Sequence, residues 1–229
     1  MIPIRDSERS GRLPVVNVAL ILGCIAVFVW QQVDPGLTEA YAFRPAELFG
    51  RALFQEPLHV VETLFGSMFL HGGYLHIGMN MLFLWVFGDN VEDRMGHLRY
   101  LFFYLACGLL AGLVHALFNM TSDIPTVGAS GAISGVLGAY LLLFPRARLT
   151  VFVPFLWFFG LMELQALPFI ILWFILQFLS GMGALAGQAS GIAFWAHIGG
   201  FLAGIALCRV VVPKPRPPTG PRIIRWDES

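Results

Sequence analysis

Residues 126–135 read TVGASGAISG, and they open an apolar stretch that runs only as far as Phe144. Small residues in such a run let two helices approach closely inside a membrane, whereas a serine among them is a candidate for chemistry. Ser130 to Phe144 is 15 residues, about 22 Å of helix, which falls short of a hydrocarbon core about 30 Å thick. Arg146 and Arg148 follow and hold the inner end at an interface, so the outer end lies below the opposite surface. Ser130 is therefore expected on the floor of a recess open to the outside. The non-helical loop ahead of it is tolerated there because it lines a cavity.

The rest of the chain agrees with a membrane setting. Of 229 residues, 57% are hydrophobic and 12% charged, with a mean hydropathy of +0.74. Too little polar surface exists to coat a soluble globule of this size. Apolar stretches long enough for helical spans lie at roughly 15–33, 74–90, 98–118, 130–144, 164–180 and 194–212, which predicts an all-α polytopic bundle of six transmembrane helices. The polar N-terminus followed by a long apolar run, without Ala-x-Ala-like cleavage chemistry, reads as a retained first span. This divides the chain into an N-terminal segment, 1–14, a membrane domain, 15–212, and a tail, 213–229.

Net charge is zero, with 14 basic and 14 acidic residues, so nothing draws the chain toward nucleic acid, and the placement of charge is what informs. Six crossings put 12 of the 14 basic residues on one side, among them Arg5, Arg9, Arg12, Arg94, Arg99 and Arg146. The positive-inside rule makes that side cytoplasmic, with both termini on it. The apolar stretch 150–162, interrupted by Pro154, is too short to cross as a helix and reads as an interfacial or re-entrant segment. Cys24, Cys107 and Cys208 are isolated apolar fillers.

Several polar groups are expected at one depth. The second span opens HGGYLHIGMN, with His71 ahead and His76 and Asn80 four residues apart on one helix face. The sixth opens FWAHIGGFLAG, placing His197 about a turn inside. Each histidine taken alone reads more simply as a hydrogen-bonded packing residue, and the glycines of spans four and six as ordinary contact faces. Close packing of those two spans nevertheless brings Ser130 toward His197, and a hydroxyl needs a base at that distance to act as a nucleophile. A metal site is not indicated, because His71 and His76 lack an HExxH pattern or an acidic third ligand.

Taken together, these residues resemble the rhomboid intramembrane serine proteases, over about residues 64–207. Gly128-Ala129-Ser130-Gly131 matches the family's GxSG nucleophile motif, and Ala196-His197-Ile198-Gly199-Gly200 its general-base motif. His71, His76 and Asn80 match an HxxxxHxxxN pattern, and residues 88–96, Gly-Asp-Asn-Val-Glu-Asp-Arg-Met-Gly, resemble the polar turn after the second helix. Two departures stand out: the first outer loop lacks a Trp-Arg pair, and position 134 is Ser where many relatives carry an aromatic that packs on the base. Ser134, Trp195 and Tyr140 are then the candidates for bracing His197.

The resemblance implies a rhomboid-like, six-span form typical of bacteria, in the inner membrane, that cuts transmembrane protein substrates near the outer end of a span. In that reading Ser130 is the nucleophile and His197 the general base. The oxyanion hole is made by His76, Asn80 and the Ser130 backbone N–H, with His71, Gly128 and Gly131 in support. The lipid bilayer is a partner, and no cofactor, metal or nucleic acid is implied. Span five, with Gln177 near its outer end, and the outer loops are candidate gate elements. Two rival readings are a catalytically inactive rhomboid-like protein that binds membrane clients and a small-molecule transporter, though the halves show no inverted repeat.

Overall fold

The computed structural model describes residues 1–50, 52–155, 158–185 and 193–213. The tail expected at 213–229 therefore lies, but for its first residue, outside the described residues. Among the described residues, three helices are long and apolar enough to cross a membrane, α1 (Val15–Val33), α7 (His97–Phe118) and α10 (Phe194–Val211). In chain order the elements are β1 (Ile2–Asp6), α1, α2 (Gly36–Tyr41), α3 (Pro45–Phe49), α4 (Ala52–Gln55), α5 (Pro57–Gly66), α6 (Tyr74–Met95) and α7. They continue with α8 (Ser130–Leu143), β2 (Arg148–Phe155), β3 (Phe158–Gln165), α9 (Ala166–Leu185) and α10.

At one end, α1, α6 and α7 are clamped around Glu92. This buried carboxylate accepts the backbone N–H groups of Val16 at 3.0 Å and Asn17 at 2.7 Å. It thus satisfies orphan donors at the positive end of α1. The Asn17 side chain donates to the Leu84 carbonyl at 3.0 Å and accepts from the Tyr100 hydroxyl at 2.8 Å. A Cβ at Gly88 would stand 2.1 Å from Asn17 Oδ1, so this crossing of helices needs glycine there. Residues 88–95, expected as a polar turn, instead form the last two turns of α6, and the turn itself is Gly96 with φ +81°. The polar groups stay helical because Glu92 and Asn90 find partners on other elements.

Among the described glycines, the closest backbone approaches join α8 to α10. A Cβ on Gly200 would lie 1.9 Å from the Gly131 carbonyl oxygen, and one on Gly204 2.0 Å from that of Gly135. The pairs 131/200 and 135/204 advance together, so the two helices run parallel. By the same test α6 is parallel to α8, since His76 lies against Gly128 and the Phe87 ring meets Tyr140 edge-on at 5.0 Å. Bare glycine surfaces let backbones meet where a side chain would hold them apart.

The all-α expectation needs correcting. Within the stretch expected as an interfacial or re-entrant segment, residues 150–155 and 158–162 lie on the paired strands β2 and β3, and β1, from the polar N-terminal segment, completes an antiparallel sheet in the order β1-β2-β3. Leu149 and Val151 are buried while Arg148 is exposed and Thr150 half-buried, the period-two alternation of a strand covering a core. The Ala166 N–H donates to the Ala147 carbonyl at 2.8 Å, so the hairpin returns the chain to the place it left and adds no crossing between α8 and α9. Asp6 ties the sheet to the bundle, accepting from the Tyr140 hydroxyl of α8 and from Asn90 Nδ2 of α6 at 2.8 Å.

Two predictions follow from this packing. Gly204→Ala forces a methyl into the Gly135 backbone and is expected to cost about 1–3 kcal/mol, read as a fall in thermal midpoint in detergent micelles. Burial pushes the Asp6 carboxyl up to about 6, with Asp89 and Glu8 adding repulsion against the Tyr140 and Asn90 hydrogen bonds. Since an unfolded aspartate titrates near about 3.9, the folded state binds this proton more tightly. The stabilisation is complete below about pH 4 and is lost as pH rises through about 6. Amide exchange in β1, corrected for its intrinsic pH dependence, should therefore lose protection over that window in the wild type and stay flat in Asp6→Asn.

Candidate active site

Ser130 is the first residue of α8, and His197 sits in the first turn of α10. Because the glycine faces hold these parallel helices together, their N-terminal ends coincide. The Ser130 Oγ lies 2.8 Å from His197 Nε2, and the other ring nitrogen, Nδ1, lies 2.7 Å from Gln177 Oε1 on α9. Trp173, one turn earlier on α9, flanks the imidazole with ring centroids 6.0 Å apart. Both Ser130 and His197 are half-buried. As the first residue of α8, Ser130 stands at the positive end of that helix.

The loop ahead of Ser130 is held in place by the first loop and the start of α6. Gly128 adopts φ +130°, and a Cβ there would lie 2.8 Å from both Cε1 and Nε2 of His76. Glycine is therefore required twice over, for its backbone and for the histidine ring laid against it. The Gly128 N–H donates to the Ser67 carbonyl at 2.8 Å, and Thr126 exchanges two backbone hydrogen bonds with Phe43, at 2.8 and 3.1 Å. The first loop thus braces the serine-bearing turn. His115, for which the sequence offers no role, places Nε2 3.3 Å from Thr126 Oγ1.

At the start of α6 the structure brings His76 together with His71 of the preceding segment, their rings 5.2 Å apart and edge-on. Gln31 of α1 fixes the His71 backbone, accepting from its N–H at 3.0 Å and donating to its carbonyl at 3.2 Å. His76 Nδ1 accepts from the Gly72 N–H at 3.3 Å. Asn80 is buried, one turn after His76, and its Nδ2 has no hydrogen-bond partner among the described residues. A buried amide donor left unpaired is costly, and such groups mark functional positions more often than accidents. Gly131 serves the helix contact, as the α8–α10 packing requires. Among the described residues no group of three His, Cys, Asp or Glu side chains could hold a metal ion.

The candidates for bracing His197 are replaced by others. Ser134 donates to the Ser130 backbone carbonyl at 2.6 Å, the local back-bonding habit of a serine inside a helix. Tyr140 is engaged by Asp6, and Trp195 stacks on Phe118 at 3.9 Å. Gln177 and Trp173 take the bracing positions instead. The signal for Gln177 was present in the sequence as a lone amide within an apolar helix, but its partner lies 20 residues away on another element.

A family model, the Rhomboid domain, matches residues 59–214. The chain is 33% identical over 153 residues to RHOMBOID-like protein 5 of Arabidopsis thaliana, covering 67% of this chain and 45% of that protein. It is 35% identical over 95 residues to the mitochondrial Rhomboid protein 1 of Saccharomyces cerevisiae, covering 40% and 28%. A shorter match, 44% over 72 residues, is to Rhomboid protease GluP of Bacillus subtilis, covering 31% and 14%. The chain spans less than half the length of these relatives. With the family model covering well over half of its residues, the chain belongs to the rhomboid family of membrane proteins.

Proposed function

We propose that this protein is an intramembrane serine endopeptidase that cuts transmembrane segments of other membrane proteins near the outer face of the bilayer. The observation that carries the reading is the 2.8 Å contact between Ser130 Oγ and His197 Nε2, a nucleophile and a base within hydrogen-bond reach. His197 takes the Ser130 proton as Oγ attacks the scissile carbonyl, then gives it to the departing amine. Water, activated by the same imidazole, releases the acyl group from Ser130. The oxyanion is met by the Ser130 backbone N–H at the start of α8, by the otherwise unpaired Asn80 amide and by His76. This is a Ser-His dyad, since among the described residues His197 meets an amide and no carboxylate at Nδ1.

The setting supports the same reading. The bundle crosses the membrane six times, with α6, α8 and α10 running in one direction from the outer face, the membrane domain spanning residues 15–212, and the basic side with both termini in the cytoplasm of a bacterial-type cell. α8, at 14 residues, rises about 21 Å, so its N-terminal serine lies below the surface and water reaches it through the loop-lined recess. The cleft beside Ser130 is lined by Phe43, Leu64, Met68, Ala111, Ala132 and Ala196 and holds only about 30 Å³, which suits a small side chain at the cut. A substrate helix must unwind there to offer its carbonyl, so helix-breaking residues near the cut favour cleavage.

In proteoliposomes carrying a single-span reporter, Ser130→Ala and His197→Ala are expected to abolish cleavage, and Ser130→Ala to abolish fluorophosphonate labelling. Asn80→Ala should lower the turnover about 100- to 1000-fold, as loss of one oxyanion donor does, while Ser134→Ala keeps most of the activity. Unchanged cleavage by Ser130→Ala would sink the mechanism, and wild-type protein that neither labels nor cuts would instead support an inactive, client-binding rhomboid.

A further inference from the structure

A histidine base has two ring nitrogens, and only one of its neutral forms can serve Ser130. Nε2 must arrive as an acceptor, which requires the proton on Nδ1. Gln177 Oε1 stands 2.7 Å from that Nδ1. An amide oxygen accepts and never donates, so the contact is a hydrogen bond only when Nδ1 carries the hydrogen. Among the described residues no other group selects this tautomer: the titratable neighbours of the imidazole are His76 and His115, and neither hydrogen-bonds to it. Trp173 restrains the ring's tilt from one side but offers Nδ1 no acceptor.

We infer that Gln177 is the positioning residue of the catalytic base, holding His197 in the Nδ1–H tautomer with Nε2 turned to Ser130; the inference rests on the dyad proposed above. The amide does the work that a carboxylate does in a three-membered Ser-His-acid arrangement, without bringing a charge into an apolar bundle, where a charge is costly. Its orientation is decisive. Turned over, the amide would direct its N–H groups at Nδ1, drive the ring proton to Nε2 and leave the serine without a base. A carboxylate at this position accepts from either oxygen and so cannot be turned to the unproductive state.

Gln177 is carried by α9, so the helix that orients the base is a different one from the helix that bears it. The start of α9 is anchored by buried Ala166, Phe169 and Ile170, whereas Ile175, Leu176, Phe178 and Leu179 around Gln177 are exposed. Phe174 stacking on Phe201, with centroids 4.7 Å apart, is the packing contact that sets the amide's height against His197.

The test compares wild type, Gln177→Leu and Gln177→Glu for reporter cleavage and for the pH dependence of fluorophosphonate labelling, with Ser130→Ala as the reference for the dyad. Gln177→Leu is expected to lower kcat about 100-fold, the scale of a misplaced catalytic group, with KM little changed. Gln177→Glu should retain substantial activity and move the acid limb of the profile upward by about 1–3 pH units, because an adjacent carboxylate favours the imidazolium. Wild-type rate and an unshifted profile in Gln177→Leu would overturn the inference, as would equal losses in both variants with neither profile moved, the mark of simple packing. The 15N shifts of His197 in the same preparations should place the proton on Nδ1 in wild type and divide it between the nitrogens in Gln177→Leu. That readout stands even if labelling survives Ser130→Ala and the dyad itself fails, and a wild-type proton on Nε2 overturns the assignment of Gln177.

Discussion

The structure depends on two helix backbones being allowed to touch. With carbonyl oxygens of α8 within about a bond length or so of where side chains on α10 would begin, as the 1.9 and 2.0 Å approaches at Gly200 and Gly204 express, any residue but glycine forces the helices apart. Separation is not absorbed locally, because protein interiors are packed too densely to yield by degrees. A shift of an ångström at this seam would be passed to both helix ends, and the ends are where the hydroxyl and the imidazole stand. The chemistry is therefore set by residues that carry no functional group.

Much of this was legible in the chain itself. Helical spans follow from local apolar runs, and the short stretch after Ser130 places the serine at a helix start before any contact is known. His76, Asn80 and His197 are conspicuous because polar groups are costly in apolar helices. What stayed hidden is non-local. The sheet joins residues 2–6 to residues 148–165, and nothing in either segment announces the other. Ile-Pro-Ile-Arg-Asp is too short and too polar to read as a strand alone, and the hairpin's aromatic residues imitate a membrane segment. The bracing of His197 by Gln177 was missed for the same reason, with Ser134, Trp195 and Tyr140 offered in its place.

The first loop shows how a surface connection acquires a structural task. Its short helices bury few residues of their own, yet Phe43 pairs with Thr126, the Ala46 N–H bonds to the Ser122 carbonyl at 3.0 Å, and Ser67 receives Gly128. These are backbone contacts, indifferent to the side chains that make them, so the loop can hold the turn before Ser130 without the Trp-Arg pair that many relatives carry there. Gln31 extends the brace to α1 through His71. The serine-bearing turn is thus clamped between its own helix and elements that precede it by more than fifty residues.

The small sheet has a consequence for how the molecule behaves among its own copies. Its order leaves β1 at one margin, and a bare strand margin offers unpaired backbone groups that invite another chain to add itself. Here Pro3 has no N–H to offer, and the register breaks between Pro3 and Arg5, so the margin presents neither an even ladder nor a full set of donors. That margin is therefore a poor template for a further strand, which leaves β3 as the sheet's one regular edge among the described residues.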